Sequence, residues 1–284
     1  MSQLEELLNQ TKTNEEALQS IDTGGSTPKD PNDPLNWKLK EGEQIVRILP
    51  SLDGIPLKEL HIHWKIGKGP FLCPKKMFGE DCAACDLGWD LWSEAGDDKK
   101  LKEKAKMFLP DQRYAALIIA RALEEADIEA HGKPIARVWD FNWTTYKDIR
   151  SWMANSDYGN IESVVDGFDL KVTWDPELAK QRTQSTTVQP RRKESLALNF
   201  EDKKSPYHDL LKNKEEMAGM IFDILNEAPD IHSKYPRVSS EEVVELLAVF
   251  QEKPEADSKD LEKYGSKEEK SNADKINEFL NDDE

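Results

Sequence analysis

The stretch CPKKMFGEDCAAC, residues 73–85, holds all three cysteines of a 284-residue chain. Three explanations compete for it. A disulfide leaves one thiol over. The chain also opens with MSQLEELLNQTKTNEEALQS, which is polar and mixed in charge and has no apolar signal stretch. No segment has the apolar run needed to cross a bilayer. The expected setting is therefore intracellular, where disulfides are rare. Chance placement of buried thiols calls for apolar neighbours, whereas this loop is rich in Lys, Asp and Glu. A metal fits better. Cys82 and Cys85 form a C-x2-C pair, which lets two thiolates grip one ion from a tight turn, and Cys73 stands upstream as a third ligand. A tetrahedral Cys3His site needs one imidazole more. The preceding HIHWKIGKGPFLC offers His61 and His63, which are two apart and so share one face of a strand. Both remain open, with His63 favoured as the nearer. The expected cofactor is one structural zinc ion.

A catalytic zinc is disfavoured. Zinc deaminases combine H-x-E with P-C-x-x-C. Here His63 occupies the position two after His61, where that pattern has Glu, and Asp81 precedes Cys82. Four protein ligands would also leave no coordination position for water. No enzymatic activity is expected.

The net charge is −17, with 33% charged and 37% apolar residues. This excludes a nucleic-acid binder that works through bulk positive charge. It does not exclude a local cationic groove, because distribution matters more than the sum. The low apolar content implies that part of the chain is unpacked.

Residues 1–36 divide into a short helical pattern and the turn-rich linker DTGGSTPKDPNDPLN. A folded body is expected over 37–198. WKLKEGEQIVRILP and LKELHIHWKIG predict two strands, the second feeding the cysteine loop. CDLGWDLWSEAGDDKKLKEKAKMFLP predicts a helix broken at Gly96 and a lysine-rich stretch, with Trp89 and Trp92 on an inward face. RYAALIIARALEEAD suits a buried strand by its apolar run and a helix by its alanines. A strand through Trp139, Phe141 and Trp143, a helix from about Thr145, and two strands within DGFDLKVTWDPELAKQRTQSTTVQPRRKESLAL follow. Short strands with few long helices predict a mainly β fold with α elements, a small β-barrel with insertions. Residues 199–252 show helical periodicity, with a capping-box pattern from Ser239 to Glu242, and are expected to form a helical appendage. Residues 253–284 are polar and expected to be disordered.

Aromatic and cationic residues interleave through the body. Arg113, Tyr114, Arg121, Arg137, Trp139, Trp143, Tyr146, Lys147, Arg182, Arg191 and Arg192 are the candidate contacts. Such a mixture suits single-stranded nucleic acid: bases stack on aromatic faces while cations track the phosphates. The opposing consideration is that any one aromatic is more often core than platform. If the tryptophans face a groove, Phe141 is expected to face the core.

Taken in order, WKLKEGEQIVRILP, the His…Cys…Cys-x2-Cys knuckle, RYAALIIA, the G-K-P…VWDF…YKDI segment and SDYGNIESVVDGFDLKV resemble the single-stranded-DNA-binding proteins of T4-like tailed phages, the gene-32-protein family. The resemblance runs from about Trp37 to Leu198. It implies an OB-fold core with a zinc subdomain (about 60–110) inserted in it, and sequence-nonspecific binding of single-stranded DNA in replication, recombination and repair. It also implies self-association on DNA through the N-terminus, and action in the cytoplasm of the infected bacterial host. The zinc ligands implied are Cys73, Cys82, Cys85 and one of His61 or His63. Tyr114 and Trp139 fall where the family has groove aromatics. Where the family carries a basic Lys-Arg-Lys-Ser-Thr-like N-terminal run, this chain has Thr11, Lys12 and Thr13 among Glu5, Glu6, Glu15 and Glu16.

From Glu255 to Glu284 eleven acids face five lysines. A tethered polyanion of this kind can compete with DNA for the protein's own cationic groove. The apolar trio Ile276, Phe279 and Leu280 among those acids reads as a docking peptide. The resemblance makes its partners phage replication and recombination proteins: a polymerase, a primase-helicase and a recombinase mediator. The alternative from another functional class is a zinc-containing protein-docking module with incidental nucleic-acid binding.

Overall fold

The computed structural model describes residues 33–252, apart from 68, 156, 157, 159, 182, 183 and 192–195. The arm before residue 33 and the acidic tail from 253, with Ile276, Phe279 and Leu280, lie outside the described residues, as do Arg182 and Arg192. In chain order the elements are β1 (Gly42–Ile48), β2 (Lys58–His63), β3 (Phe71–Leu72), α1 (Pro74–Phe78), α2 (Ala83–Glu94), α3 (Lys99–Phe108), β4 (Asp111–Ala120), α4 (Glu124–His131), β5 (Arg137–Phe141), α5 (Trp143–Met153), β6 (Asp169–Trp174), α6 (Pro176–Lys180), β7 (Thr186–Arg191), α7 (Lys214–Asn226) and α8 (Ser240–Glu252). The fold is mixed α/β around an antiparallel sheet. No helix among the described residues is long and apolar enough to cross a membrane.

The described residues divide into two compact units. The first holds 33–60 and 112–234, the second 61–111 and 235–252. In the first, β1 pairs with β4 and β6, β5 joins β4, and β7 joins β6. The ambiguous RYAALIIA segment is the strand β4, and its continuous apolar run has a physical cause. Tyr114, Ala116, Ile118 and Ala120 point into one core with Val46, Ile48, Trp139, Leu170 and Val172. Ile119 points the other way, into a second core with Leu49, Leu198, Tyr207 and Leu211. A strand buried on both faces loses the alternation that marks a half-buried one. Met217, Ile221 and Ile224 recur at helical spacing along α7 and fill that second core.

A buried ionic network runs through the first unit. Asp169 on β6 is fully buried and lies between two guanidiniums. Arg121 reaches it with two hydrogen bonds, at 2.9 and 2.7 Å. Arg47 of β1, also fully buried, lies 3.5 Å away and donates to the Ser163 carbonyl at 2.7 Å. Arg121 also pairs with Glu124, which accepts from the Tyr207 hydroxyl. Burial raises the pKa of Glu124. It works against the charge of Arg121, but Asp169 and Glu124 outweigh it and hold that guanidinium firmly ionised. Gly167 lies against this network. A Cβ there would sit 2.5 Å from the Ile161 carbonyl and 2.7 Å from the Arg47 guanidinium, so only glycine fits.

Three expectations are corrected. Residues 199–252 do not form one appendage: α7 belongs to the first unit's second core, while Val243 and Leu247 of α8 belong to the core of the second unit. Trp139 and Phe141, two apart on β5, share a face. Both are buried, with rings 4.7 Å apart, and Trp139 meets Trp37 edge-on at 6.5 Å. Trp143 is not on that strand, because Asn142 ends it and caps α5, accepting from Thr145 N–H at 3.0 Å. Trp89 does not pack inward but stands 53% exposed. Its neighbour Trp92 lies under the ammoniums of Lys102 and Lys106. The helix break near Gly96 and the Ser239–Glu242 capping box are both present. Gly96 takes a φ of +48°, Asp98 caps α3, the Ser239 hydroxyl accepts from Glu242 N–H at 3.2 Å and the Glu242 carboxylate accepts from Ser239 N–H at 2.6 Å.

Asp169→Asn should remove the carboxylate that Arg47 and Arg121 share, leaving Arg121 with Glu124 alone, and cost about 3–5 kcal/mol in urea unfolding. Lys180→Ala, which breaks the exposed pair with Glu177, should cost under about 1 kcal/mol. Equal losses in the two variants would show that the buried network does not secure the fold.

Candidate metal centre and nucleic-acid interface

Four residues of the second unit converge. The end of β2 pairs with β3 in the register Ile62↔Leu72 and His63↔Phe71. The Phe71 ring lies 5.0 Å from the imidazole and tilted by 30°, which steadies it. Cys73 follows β3 directly. Its N–H donates to the His61 carbonyl at 2.9 Å, and its sulfur accepts from Lys76 N–H at 3.4 Å as the cap of α1. Pro74 starts that helix with a preset φ. Gly79 ends it at a φ of +73°, a left-handed position glycine favours. Cys82 then precedes α2, and Cys85 lies in its first turn. A helix N-terminus favours thiolate character.

His63 Nε2 lies 3.5 Å from Cys82 Sγ and 3.8 Å from Cys85 Sγ. The sulfurs of Cys73 and Cys85 are 3.4 Å apart. All four ligand atoms lie within 4.8 Å of one another, and all four residues are buried. Bonds of about 2.3 Å from a tetrahedral centre to sulfur give edges of about 3.8 Å, so the donors stand close to the spacing such an ion needs. The ionisation of the thiols points the same way. Hydrogen bonds from Cys82 and Cys85 hold the Cys73 thiol down to about 3. Cys85 is pushed strongly up, first by its hydrogen bond to Cys73 and then by Cys82. A cation at the centre of the cluster would favour the thiolate form of each cysteine that binds it. His63 Nδ1 is buried and has no hydrogen-bond partner among the described residues. The group can hold one metal ion, and its histidine is His63 rather than His61.

The candidate DNA residues among the described ones lie in the first unit, and the structure separates them into two sets. Tyr114 on β4 and Tyr146 on α5 stack at 3.8 Å with an 11° tilt. Trp143 lies 5.4 Å from Tyr146 and 5.8 Å from Tyr114. Tyr114 is the buried base of this trio, and Trp143 is 49% exposed. Burial raises the Tyr114 pKa, with Glu59 adding to it, so the phenol stays neutral. Trp143, Tyr146, Lys147 and Arg150 follow the i, i+3, i+4, i+7 spacing of one helix face. Lys147 and Arg150 are exposed, whereas Thr145 and Ile149 turn to the protein. Arg191 is exposed on β7.

The second set is engaged inside the fold. Arg121 serves the Asp169 network. Arg137 is buried in a two-fold pair with Asp127, at 2.6 and 2.7 Å. Trp139 is core. Arg113 is partly covered and donates to Asp140 at 3.0 Å, where Lys234 also pairs at 2.8 Å. Burial alone would raise the Asp140 pKa, but Lys234 and Arg113 outweigh it and lower it. Type and interleaving could not separate the two sets. The signal that does so is the helical spacing from Trp143 to Arg150.

The family described as gp32 DNA binding protein like matches residues 40–231, over two-thirds of the chain. The chain belongs to this gp32-like family. No curated protein matches its sequence. The gp32-like match covers β1 to the start of the Ile231–Lys234 turn, so it contains the four-residue cluster, the buried ionic network and the aromatic face of α5.

Cys82→Ser should abolish stoichiometric metal binding and lower the melting temperature, and a chelator should produce the same shift in the unmutated protein. Metal analysis with thermal melts checks this. Unchanged metal content and stability in Cys82→Ser would contradict it.

Proposed function

We propose that the protein binds single-stranded DNA without sequence preference, coating and protecting strands during phage DNA replication, recombination and repair. One observation carries this reading. The exposed Trp143 ring rests on a stacked pair of tyrosines, with Lys147 and Arg150 on the same helix face. A flat platform backed by rigid rings accepts any base, and stacking contributes about 1–3 kcal/mol per base. The neighbouring ammonium and guanidinium suit phosphates. Membership of a family described by DNA binding supports the same reading.

The first unit would be the OB-fold core and the second the zinc-bearing subdomain. Zinc is the proposed metal: three thiolates and one imidazole around a tetrahedron suit a closed structural zinc site. His63, Cys73, Cys82 and Cys85 would hold it, and its chemistry there is structural cross-linking. The acidic tail, with Ile276, Phe279 and Leu280, would recruit replication and recombination proteins and compete with DNA for the cationic surface. The protein would act without catalysis in the cytoplasm of the infected host.

Affinity for oligodeoxythymidine should exceed that for duplex DNA of the same length. It should fall steeply with salt, at about 0.7 logarithmic units per phosphate contact. Trp143→Ala should weaken binding about 5- to 150-fold and lower the melting temperature only slightly, through the lost ring contact with Tyr146. Fluorescence anisotropy over a salt series measures the affinities, and a thermal melt checks the stability of Trp143→Ala. Equal affinity for duplex, or an affinity indifferent to salt, would overturn the proposal in favour of a protein-docking role.

A further inference from the structure

The connection between β1 and β2 displays apolar groups that the fold does not use. Leu52 is 62% exposed and Ile55 56% exposed, while Leu57 packs against the first core. The display is built rather than slack. Asp53 accepts from the Ser51 hydroxyl at 2.6 Å and from Ile55 N–H at 3.0 Å, and it pairs with Lys58. Gly54 N–H donates to the Ser51 carbonyl at 3.0 Å, with a φ of +75°. These bonds fix the turn while its apolar side chains stand outside.

Beside this turn lies an open groove of about 390 Å³. One wall is Gly54, Ile55, Pro56 and Leu57, and the other is Tyr146, Arg150, Met153 and Ala154 of α5 and its end. Its volume lies within the range of small-ligand sites, which are largely apolar with a few placed polar groups. Two of its members, Tyr146 and Arg150, also lie on the helix face that carries Trp143 and Lys147.

We infer that this groove seats one unpaired nucleobase of the bound strand, with the adjoining phosphate on Arg150. The inference rests on the single-stranded-DNA reading and adds to it a site on the loop 52–57. The lining selects the occupant. A base has an apolar face for Ile55, Pro56 and Met153, and an edge that meets the Tyr146 ring. The phosphate beside it supplies the anion that Arg150 faces. A strand stacked on Trp143 brings its next nucleotides along the same helix face.

The test uses the full chain with Ile55→Ser, Arg150→Gln and Trp143→Ala, against oligodeoxythymidine and against a strand of equal length carrying abasic sites. Ile55 is exposed, so Ile55→Ser should melt as the unmutated protein does. It should bind oligodeoxythymidine about five- to tenfold more weakly, with its salt dependence unchanged. On the abasic strand it should bind as the unmutated protein does. Arg150→Gln should instead reduce the salt slope by about 0.7. If Trp143→Ala weakens binding but Ile55→Ser does not, the strand stacks on α5 and the groove is not a base site. If Ile55→Ser loses the same factor on the abasic strand, the loop meets the backbone and the inference falls. If the unmutated protein binds no oligonucleotide, the single-stranded-DNA reading itself falls.

Discussion

A carboxylate with no access to water must be answered by positive charge, and Asp169 is answered twice. Arg47 approaches from β1 and Arg121 from the end of β4. Arg121 then engages Glu124, and Glu124 engages Tyr207, far along the chain. Charges removed from water are costly unless their partners are well placed. The network is therefore satisfied only when β1, β4, β6 and the segment around Tyr207 are all in register. Ile118, Ile119 and Leu170 beside it follow the same register, which sends alternate side chains into two cores. A slip of one residue would exchange the cores and strand the charges. Gly167 marks how closely the chain must approach Arg47 for this to work.

The second unit secures itself differently. Its core is small, and the cysteines form part of it alongside Ile66, Phe71, Leu87, Phe108, Val243 and Leu247. Three sulfurs and an imidazole gathered within 4.8 Å of one another are a poor apolar core by themselves. With a cation at its centre the same cluster becomes a cross-link between β2, the start of α1 and the start of α2. Metal binding then counts directly as folding free energy.

Much of this was legible in the sequence, for identifiable reasons. The C-x2-C pair and its upstream cysteine fixed the metal cluster because ligand spacing is a local property. The choice between His61 and His63 needed the β2–β3 register, which only the fold supplies. Strand β4 was ambiguous because burial on both faces removes periodicity. Trp139 and Trp143 looked equivalent until Asn142 proved to be a helix cap that ends one element and starts the next. Arg121 and Arg137 looked like phosphate contacts because their acidic partners, Asp169 and Asp127, lie 48 and 10 residues away. The exposed Leu52 and Ile55 carried no pattern at all. Their meaning comes from the turn that holds them and the helix opposite.

The proposed DNA contacts thus concentrate on one helix. The capped start of α5 places Trp143 at the surface, Tyr114 backs its stack from the sheet, and Lys147 and Arg150 continue the same face. The most direct measurement is intrinsic tryptophan fluorescence of the full chain, with its eight tryptophans, titrated with oligodeoxythymidine at low salt beside Trp143→Phe. Stacking on Trp143 predicts quenching in the unmutated protein that is largely lost in Trp143→Phe. Quenching undiminished by that substitution, or none in either protein, would contradict the assignment of α5 as the DNA-binding face.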